Sequence, residues 1–139
     1  MARIKLDFPE KVVFTTTMNV RITDINYGGH LGNDALLSMI HEARVRFFNS
    51  MNANEINFFN TSVIMGDVAI QYKGESFYND ELLFEIAVND LSAKSFDIWY
   101  KVTKQGNDIA IVKTGMVCFN YKERKTENVP NEFVKIVSV

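Results

Sequence analysis

The chain is poor in the residues that mark secreted and multidomain proteins. It has one cysteine among 139 residues, Cys118, which excludes an internal disulfide framework and fits a reducing compartment. Only two prolines occur, Pro9 and Pro130, both near the ends, and no low-complexity linker divides the middle. We therefore expect residues 1–139 to form a single domain.

Long hydrophobic runs and a strong net charge are also missing. No apolar stretch approaches the roughly 20 residues of a membrane helix, and residues 1–10 lack the apolar region of a signal peptide. The net charge of −2 gives no electrostatic reason to bind nucleic acid or an anionic membrane. Two histidines and one cysteine show no metal-ligand spacing. These absences favour a cytoplasmic protein without nucleic-acid, membrane or metal partners.

One strong helix signal runs from Asn33 to about Met51. Asn33 suits the N-cap position, Asp34 suits the positive end of the helix dipole, and Glu42 is placed to pair with Arg46. Apolar residues recur at spacings of four, three and four: Leu36, Ile40, Ala43 and Phe47. This periodicity predicts an amphipathic helix with one buried face.

Alternating apolar and polar residues predict strands along the rest of the chain. They are Phe14–Ile22, Ser62–Lys73, Glu81–Asp90, Lys94–Lys104 and Asp108–Lys122, with a hairpin turn at residues 105–108. An antiparallel sheet needs one face covered, and the predicted helix is the only long apolar element available. The fold class is therefore α+β, an antiparallel sheet wrapped around one central helix. A long strand such as 62–73 would leave an open edge, so two chains are expected to pair edge to edge.

The segment between the first strand and the helix is the most informative for function. It reads Asp24-Ile25-Asn26-Tyr27-Gly28-Gly29-His30-Leu31-Gly32-Asn33. Gly28 and Gly29 permit a close approach of the backbone to a ligand, or a positive φ. The N–H groups and the dipole of the following helix favour negative charge. Such a loop suits a carbonyl group that becomes an oxyanion.

Two residues of this loop are candidates for chemistry, each with an alternative structural role. The amide of Asn26 can neither deprotonate water nor attack a carbonyl, but it can orient water or donate to a carbonyl oxygen. Its alternative role is to satisfy a turn. Histidine is a common acid–base catalyst, which makes His30 a candidate, and its alternative role is to buttress the loop by hydrogen bonding.

Three carboxylates are candidate bases. Asp24 is nearest to Asn26 in sequence, but it could equally cap the turn. Asp34 at the helix start also serves the helix dipole. Asp67 interrupts an apolar strand, where a carboxylate either faces solvent or is held for a purpose. By contrast, Cys118 lies between Val117 and Phe119, which indicates a buried and inert thiol.

The loop and helix together resemble the hotdog-fold acyl-CoA thioesterases of the 4-hydroxybenzoyl-CoA thioesterase type. Their loop reads roughly Asp-x-Asp-x-x-Gly-His-Val-Asn-Asn before a helix that carries Glu-Ala-Arg, here Glu42-Ala43-Arg44. Segments 71–82, 96–100 and 128–133 are also similar to runs in relatives. The resemblance extends from about Val12 onward and implies the hotdog fold.

The resemblance also implies a hydrolase of a small or medium acyl-CoA, with coenzyme A as part of the substrate and no other cofactor. In relatives the second loop Asp attacks the thioester or activates water, and Asn26 occupies that place here. The catalytic candidates are Asn26, Asp24, His30, Asp34 and Asp67. The substrate-binding candidates are Tyr27, Gly28, Gly29, Leu31, Gly32 and Asn33, with Phe58 and Phe59 either lining the acyl channel or packing in the core.

The implied assembly is a homodimer, or a tetramer, with the ligand between the loop of one chain and strand residues such as Asp67 of the other. The alternative function is a non-hydrolytic acyl-CoA or acyl-thioester binding protein that kept the pocket and lost the carboxylate. A dehydratase of the same fold is a third hypothesis, but no histidine–carboxylate pair in that arrangement is evident from the sequence.

Overall fold

The structure, a computed structural model, describes residues 2–139 and contains one antiparallel sheet with two helices. The elements in chain order are β1 (Phe14–Asn19), α1 (Asn33–Ser50), β2 (Ser62–Tyr72), β3 (Glu81–Asn89), β4 (Ser95–Lys104), β5 (Asn107–Asn120), β6 (Lys125–Thr126) and α2 (Asn131–Val137). The α+β architecture and the order of strand, long helix and four long strands are as predicted.

The sheet has the strand order β1-β3-β4-β5-β2, and β6 pairs with the end of β5. All of these pairings are antiparallel. The hairpin between β4 and β5 turns through Gln105 and Gly106, whose φ angles of 49° and 82° are both left-handed, as a two-residue hairpin turn requires. β1 and β2 are left at the two ends of the sheet.

Helix α1 and the inner face of the sheet share one hydrophobic core. The predicted stripe is buried, with 0–2% of each side chain exposed: Leu36, Ile40, Ala43 and Phe47. Alternate residues of β3 and β4 form the sheet side of the same core: Leu82, Phe84, Ile86, Phe96, Ile98, Tyr100 and Val102. The sequence periodicity therefore assigned the buried faces of these elements correctly.

Phenylalanine rings close the core where α2 meets the segment after α1. Phe58 is fully buried, and its ring centroid lies 4.9 Å from those of Phe48 and Phe133 and 5.8 Å from that of Phe96. The α2 helix itself was not among the predicted elements. Its seven residues bury Phe133 and Val137 against the core.

Besides shifts of one or two residues at strand ends, three features differ from the sequence prediction. β1 ends at Asn19 rather than Ile22, because residues 22–24 form a 3₁₀ turn in which the carboxylate of Asp24 accepts the backbone N–H of Arg21 at 2.8 Å. The N-cap of α1 is Gly32, so Asn33 is the first helical residue. β2 contains a bulge between Met65 and Asp67, which breaks the predicted alternation along that strand.

No helix within residues 2–139 is long and apolar enough to cross a membrane.

Candidate active site

The loop from Asn26 to His30 is organised around the side chain of Asn26. Its Oδ1 accepts the backbone N–H of Gly28 at 2.9 Å and that of His30 at 3.3 Å. The backbone N–H of Asn26 donates to the carbonyl oxygen of His30 at 2.8 Å. Because Oδ1 serves two backbone donors, the amide orientation is fixed, and Nδ2 is the group that stays available for a ligand.

The loop is fastened to the turn that follows β2. The backbone N–H of Leu31 donates to the carbonyl oxygen of Ser76 at 2.8 Å, and that of Gly32 donates to the carbonyl oxygen of Asp24 at 2.9 Å. The first of these bonds joins the loop to a segment that is distant in sequence, and the second closes the loop before the helix start.

A cavity of about 210 Å³ lies between the loop and this turn. It is lined by Asn26, His30, Leu31, Leu36, Tyr72, Gly74, Glu75, Ser76 and Ile109. Apolar side chains therefore form one part of its wall, and an amide, an imidazole and a carboxylate form another. This is the composition of a pocket that holds an apolar group and acts on a polar one.

One ring nitrogen of His30, a residue that lines this cavity, makes no hydrogen bond within residues 2–139. Its Nδ1 is buried and has no hydrogen-bond partner among residues 2–139. The nearest carboxylate oxygen, Oε1 of Glu75, lies 3.7 Å away. The ring itself packs against Phe77, at a centroid distance of 5.5 Å. The backbone of His30, rather than its ring, takes part in the hydrogen bonds of the loop.

The three candidate catalytic carboxylates accept hydrogen bonds outside the cavity. Asp24 is buried, and its oxygens accept from the guanidinium of Arg21 at 3.2 and 3.3 Å. Asp34 accepts the backbone N–H of Ala35 at 2.9 Å. Neither lines the cavity. Their alternative roles, in the turn and at the helix start, fit the structure.

Asp67 folds back onto β5 next to the bulge in β2. Its Oδ1 accepts from Nζ of Lys113 at 2.8 Å and from the backbone N–H of Gly115 at 3.0 Å. A side chain at position 115 would collide with this carboxylate, so the contact depends on glycine. The hydrogen bond from Lys113 lowers the pKa of Asp67 despite a small opposing effect of burial. A carboxylate with a lowered pKa is a weaker base than an unpaired one.

The other predicted site residues are spread over different environments. Phe58 belongs to the core and lines no cavity near the loop, whereas the partly buried Phe59 packs against its edge at 5.2 Å. Tyr27 is fully exposed at the loop tip. Gly29 has a φ of 83°, which explains glycine there. Burial raises the pKa of the Cys118 thiol to about 11, as an inert thiol requires.

Few backbone N–H groups near the site lack a hydrogen-bond acceptor. Most N–H groups of residues 26–32 are used within the loop or its anchors. Within residues 2–139, the N–H groups of Asn33 and Asp34 at the start of α1 have no hydrogen-bond partner. Such groups carry the positive end of the helix dipole.

A larger groove of about 520 Å³ lies along the middle of α1, beside β1, away from the loop. Arg46 borders it and already donates to Glu42 at 2.8 Å, to the hydroxyl of Thr16 at 2.8 Å and to the carbonyl oxygen of Thr17 at 2.9 Å. The guanidinium of Arg46 in the larger groove is therefore already engaged within the protein. No cluster of three potential metal ligands occurs among residues 2–139.

Sequence reasoning missed Glu75, which it treated as part of a turn. The structure brings Glu75 towards His30 and so supplies a histidine–carboxylate pair that the sequence did not reveal. The residue in the sequence that could have indicated the position of this turn is Asp80. Its Oδ2 accepts from the backbone N–H of Phe77 at 2.8 Å, from Ser76 Oγ at 3.3 Å and from Nζ of Lys104 at 2.8 Å. Asp80 thereby fixes the turn that carries Glu75.

Asp80→Asn should lower the free energy of unfolding in a pH-dependent way. Lys104 and the N–H of Phe77 hold the pKa of Asp80 below its usual value of about 3.9. A carboxylate whose pKa is lowered by folding stabilises the protein above its unfolded pKa and loses that effect as the pH falls through the folded pKa. The difference in urea midpoint between wild type and variant should therefore be present at pH 6 and shrink from about pH 4 to pH 2. An equal difference at pH 6 and pH 2 would contradict this assignment.

Comparison with known proteins identifies the family. The model of the thioesterase-like superfamily matches residues 20–137, most of the chain. The chain belongs to the thioesterase-like superfamily. A curated relative, a 1,4-dihydroxy-2-naphthoyl-CoA hydrolase from Nostoc punctiforme, is 28% identical over 88% of this chain and 84% of its own. The predicted reaction class is confirmed: this thioesterase is a thioester hydrolase.

Solved structures confirm the hotdog fold of this thioesterase. A 1,4-dihydroxy-2-naphthoyl-CoA thioesterase from Synechocystis superposes with a TM-score of 0.81 at 22% identity, covering 90% of this chain and 95% of that one. A probable thioesterase from Escherichia coli superposes with a TM-score of 0.76 at 20% identity, covering 88% of this chain and 94% of that one. At these identities the likeness concerns the fold.

Proposed function

We propose that this thioesterase hydrolyses an acyl-CoA whose acyl group is small or medium in size, in the cavity beside the Asn26–His30 loop. The observation that carries the proposal is the cavity itself. Leu31, Leu36 and Ile109 give it an apolar wall, Asn26 brings an amide whose Oδ1 is held by the loop, and His30 brings a ring nitrogen without a partner. A volume of about 210 Å³ suits an acyl group of a few carbons or a single ring better than a long chain.

In the proposed reaction the thioester carbonyl lies next to Asn26. Nδ2 of Asn26 is free to donate to the carbonyl oxygen because Oδ1 is held by two backbone N–H groups. Negative charge builds up on that oxygen when water attacks, so a fixed donor is worth more in the transition state than in the ground state. The positive end of α1 adds to this effect.

We further propose that the chain works in the cytoplasm as a homodimer, with a tetramer as the larger assembly. The lone buried Cys118 fits a reducing compartment. β2 ends the sheet and exposes Met65, Val68 and Tyr72 along an open edge. Since Tyr72 also lines the cavity, pairing two β2 edges would bring partner residues to the site. Light scattering tests this: a monomer would contradict it.

A panel of acyl-CoA substrates assayed by release of free thiol tests the proposed function. The panel should run from acetyl to palmitoyl and include benzoyl and naphthoyl derivatives. We expect turnover that peaks among the small, medium and single-ring acyl groups. Failure to release thiol from every substrate, together with thermal stabilisation by one of them, would instead identify a non-hydrolytic binding protein.

A further inference from the structure

The hydrolase needs a base, and the carboxylate that relatives carry at position 26 is absent. We infer that His30 is the general base of this thioesterase and that Glu75 positions its imidazole. The inference rests on the proposed function and adds the residues that perform the proton transfer.

The geometry of the imidazole supports this assignment. Nδ1 is buried without a partner and faces Oε1 of Glu75 at 3.7 Å, slightly beyond hydrogen-bond distance. Glu75 is 67% exposed, so a small change of its side-chain torsions brings the oxygen within reach. Contacts of this kind are often long without substrate and shorten in the substrate complex.

The two nitrogens of His30 then have different roles. A carboxylate that accepts from Nδ1–H fixes the tautomer in which Nε2 carries the lone pair. The side chain is 37% exposed although Nδ1 is buried, so solvent reaches the ring through its other atoms. A Cβ at Gly28 would lie 3.6 Å from Nε2 and 3.3 Å from Oδ1 of Asn26. Glycine therefore leaves open the space between the imidazole edge and the amide.

The backbone holds the two residues together. The N–H of Leu31, next to His30, donates to the carbonyl oxygen of Ser76, next to Glu75. Asp80 fixes the turn on the other side. The titratable groups that line the cavity besides His30 are Glu75 and Tyr72, and Nζ of Lys104 lies 5.6 Å from the ring centroid of Phe77, which packs against the imidazole. The imidazole thus has one carboxylate beside it and no competing ion pair.

The proton transfers balance without a co-reactant. Nε2 takes a proton from water as the water oxygen bonds to the thioester carbon, and the carbonyl oxygen becomes an oxyanion beside Nδ2 of Asn26. The oxyanion then collapses, the carbon–sulfur bond breaks, and the imidazolium returns its proton to the leaving thiolate. The products are a carboxylic acid and a free thiol. Glu75 stabilises the imidazolium between the two steps.

Substitution of His30 tests the base directly. His30→Ala should lower kcat by at least about 10²-fold, because general-base assistance is typically worth about 10²–10⁴-fold. Added imidazole should restore part of the activity, since the truncated side chain leaves room for it. A loss of less than about 3-fold, or a larger loss that imidazole does not restore, overturns the assignment.

Substitution of Glu75 tests the positioning role. Glu75→Ala should lower kcat by about 10-fold or more with little change in KM, less than the loss of the base itself. Glu75→Gln should move the acidic limb of the pH profile of kcat to lower pH, because that profile reports the substrate complex, where no carboxylate then favours the protonated imidazole. Unchanged kcat in Glu75→Ala, or an unmoved limb in Glu75→Gln, overturns the role of Glu75.

His41 provides a matched control. Its Nε2 lies 2.6 Å from Oε1 of Glu55, so it also pairs with a glutamate, but it lies on α1 outside the cavity. His41→Ala should leave kcat and its pH profile unchanged. An equal loss in His41→Ala overturns a role specific to His30. The proposed function fails separately, if the wild type releases no thiol from any acyl-CoA.

Discussion

Asn26→Asp is expected to lower kcat by about 10²–10³-fold while leaving the melting temperature nearly unchanged. A carboxylate oxygen can still accept the N–H groups of Gly28 and His30, so the loop keeps its shape. The second oxygen, however, replaces the Nδ2 donor. It repels the developing oxyanion instead of stabilising it, and losing one such donor typically costs about 10²–10³-fold.

Asn26→Ala is the matched comparison. It removes the donor and also leaves two backbone N–H groups without their acceptor, so both kcat and the melting temperature should fall. Steady-state thiol release and thermal unfolding of the two variants separate these effects. Activity that rises in Asn26→Asp would contradict this role. It would favour instead a binding protein that lost its catalytic carboxylate.

Phe58→Ala is expected to lower the free energy of unfolding by about 3–5 kcal/mol. Its ring is fully buried and contacts four other phenylalanines: Phe48, Phe59, Phe96 and Phe133. Truncation removes the transfer free energy of the ring and leaves a cavity that rigid aromatic neighbours fill poorly. We therefore expect the role of Phe58 to be structural rather than that of an acyl-channel residue.

Urea unfolding measures this effect, with Ile56→Ala as the control in the same segment. Ile56 is 79% exposed, so its truncation should change stability by no more than about 0.5 kcal/mol. A Phe58→Ala variant that is as stable as the control, but has a changed acyl-chain preference, would indicate that Phe58 contacts the substrate instead.

The sequence was sufficient to predict the main elements of the fold. Helix α1 begins one residue earlier than an N-cap at Asn33 implies and ends within one residue of the predicted limit, because its apolar stripe has a clear period. The alternation along β3 and β4 also predicted the buried side of each strand. The bulge at Gly66 escaped prediction, since an extra residue in a strand leaves no periodic signal of its own.

The candidate site was predictable only in part. The loop residues Asn26 and His30 were identified because their local sequence indicates a ligand-binding turn, and the structure places both at one cavity. Glu75 was not identified, because it reaches the loop through the Leu31–Ser76 backbone bond, a contact between segments far apart in sequence. Asp67 was selected for its unusual place in a strand, and Lys113 supplies the structural reason.

A crystal structure with a non-hydrolysable ketone analogue of an acyl-CoA, in which a methylene group separates the carbonyl from the sulfur, tests the central claim most directly. We predict that the acyl group fills the cavity beside the loop. The carbonyl oxygen should lie within about 3.2 Å of Asn26 Nδ2, with the His30 imidazole facing the carbonyl carbon. An analogue bound instead in the groove along α1, beside Arg46, would contradict the account.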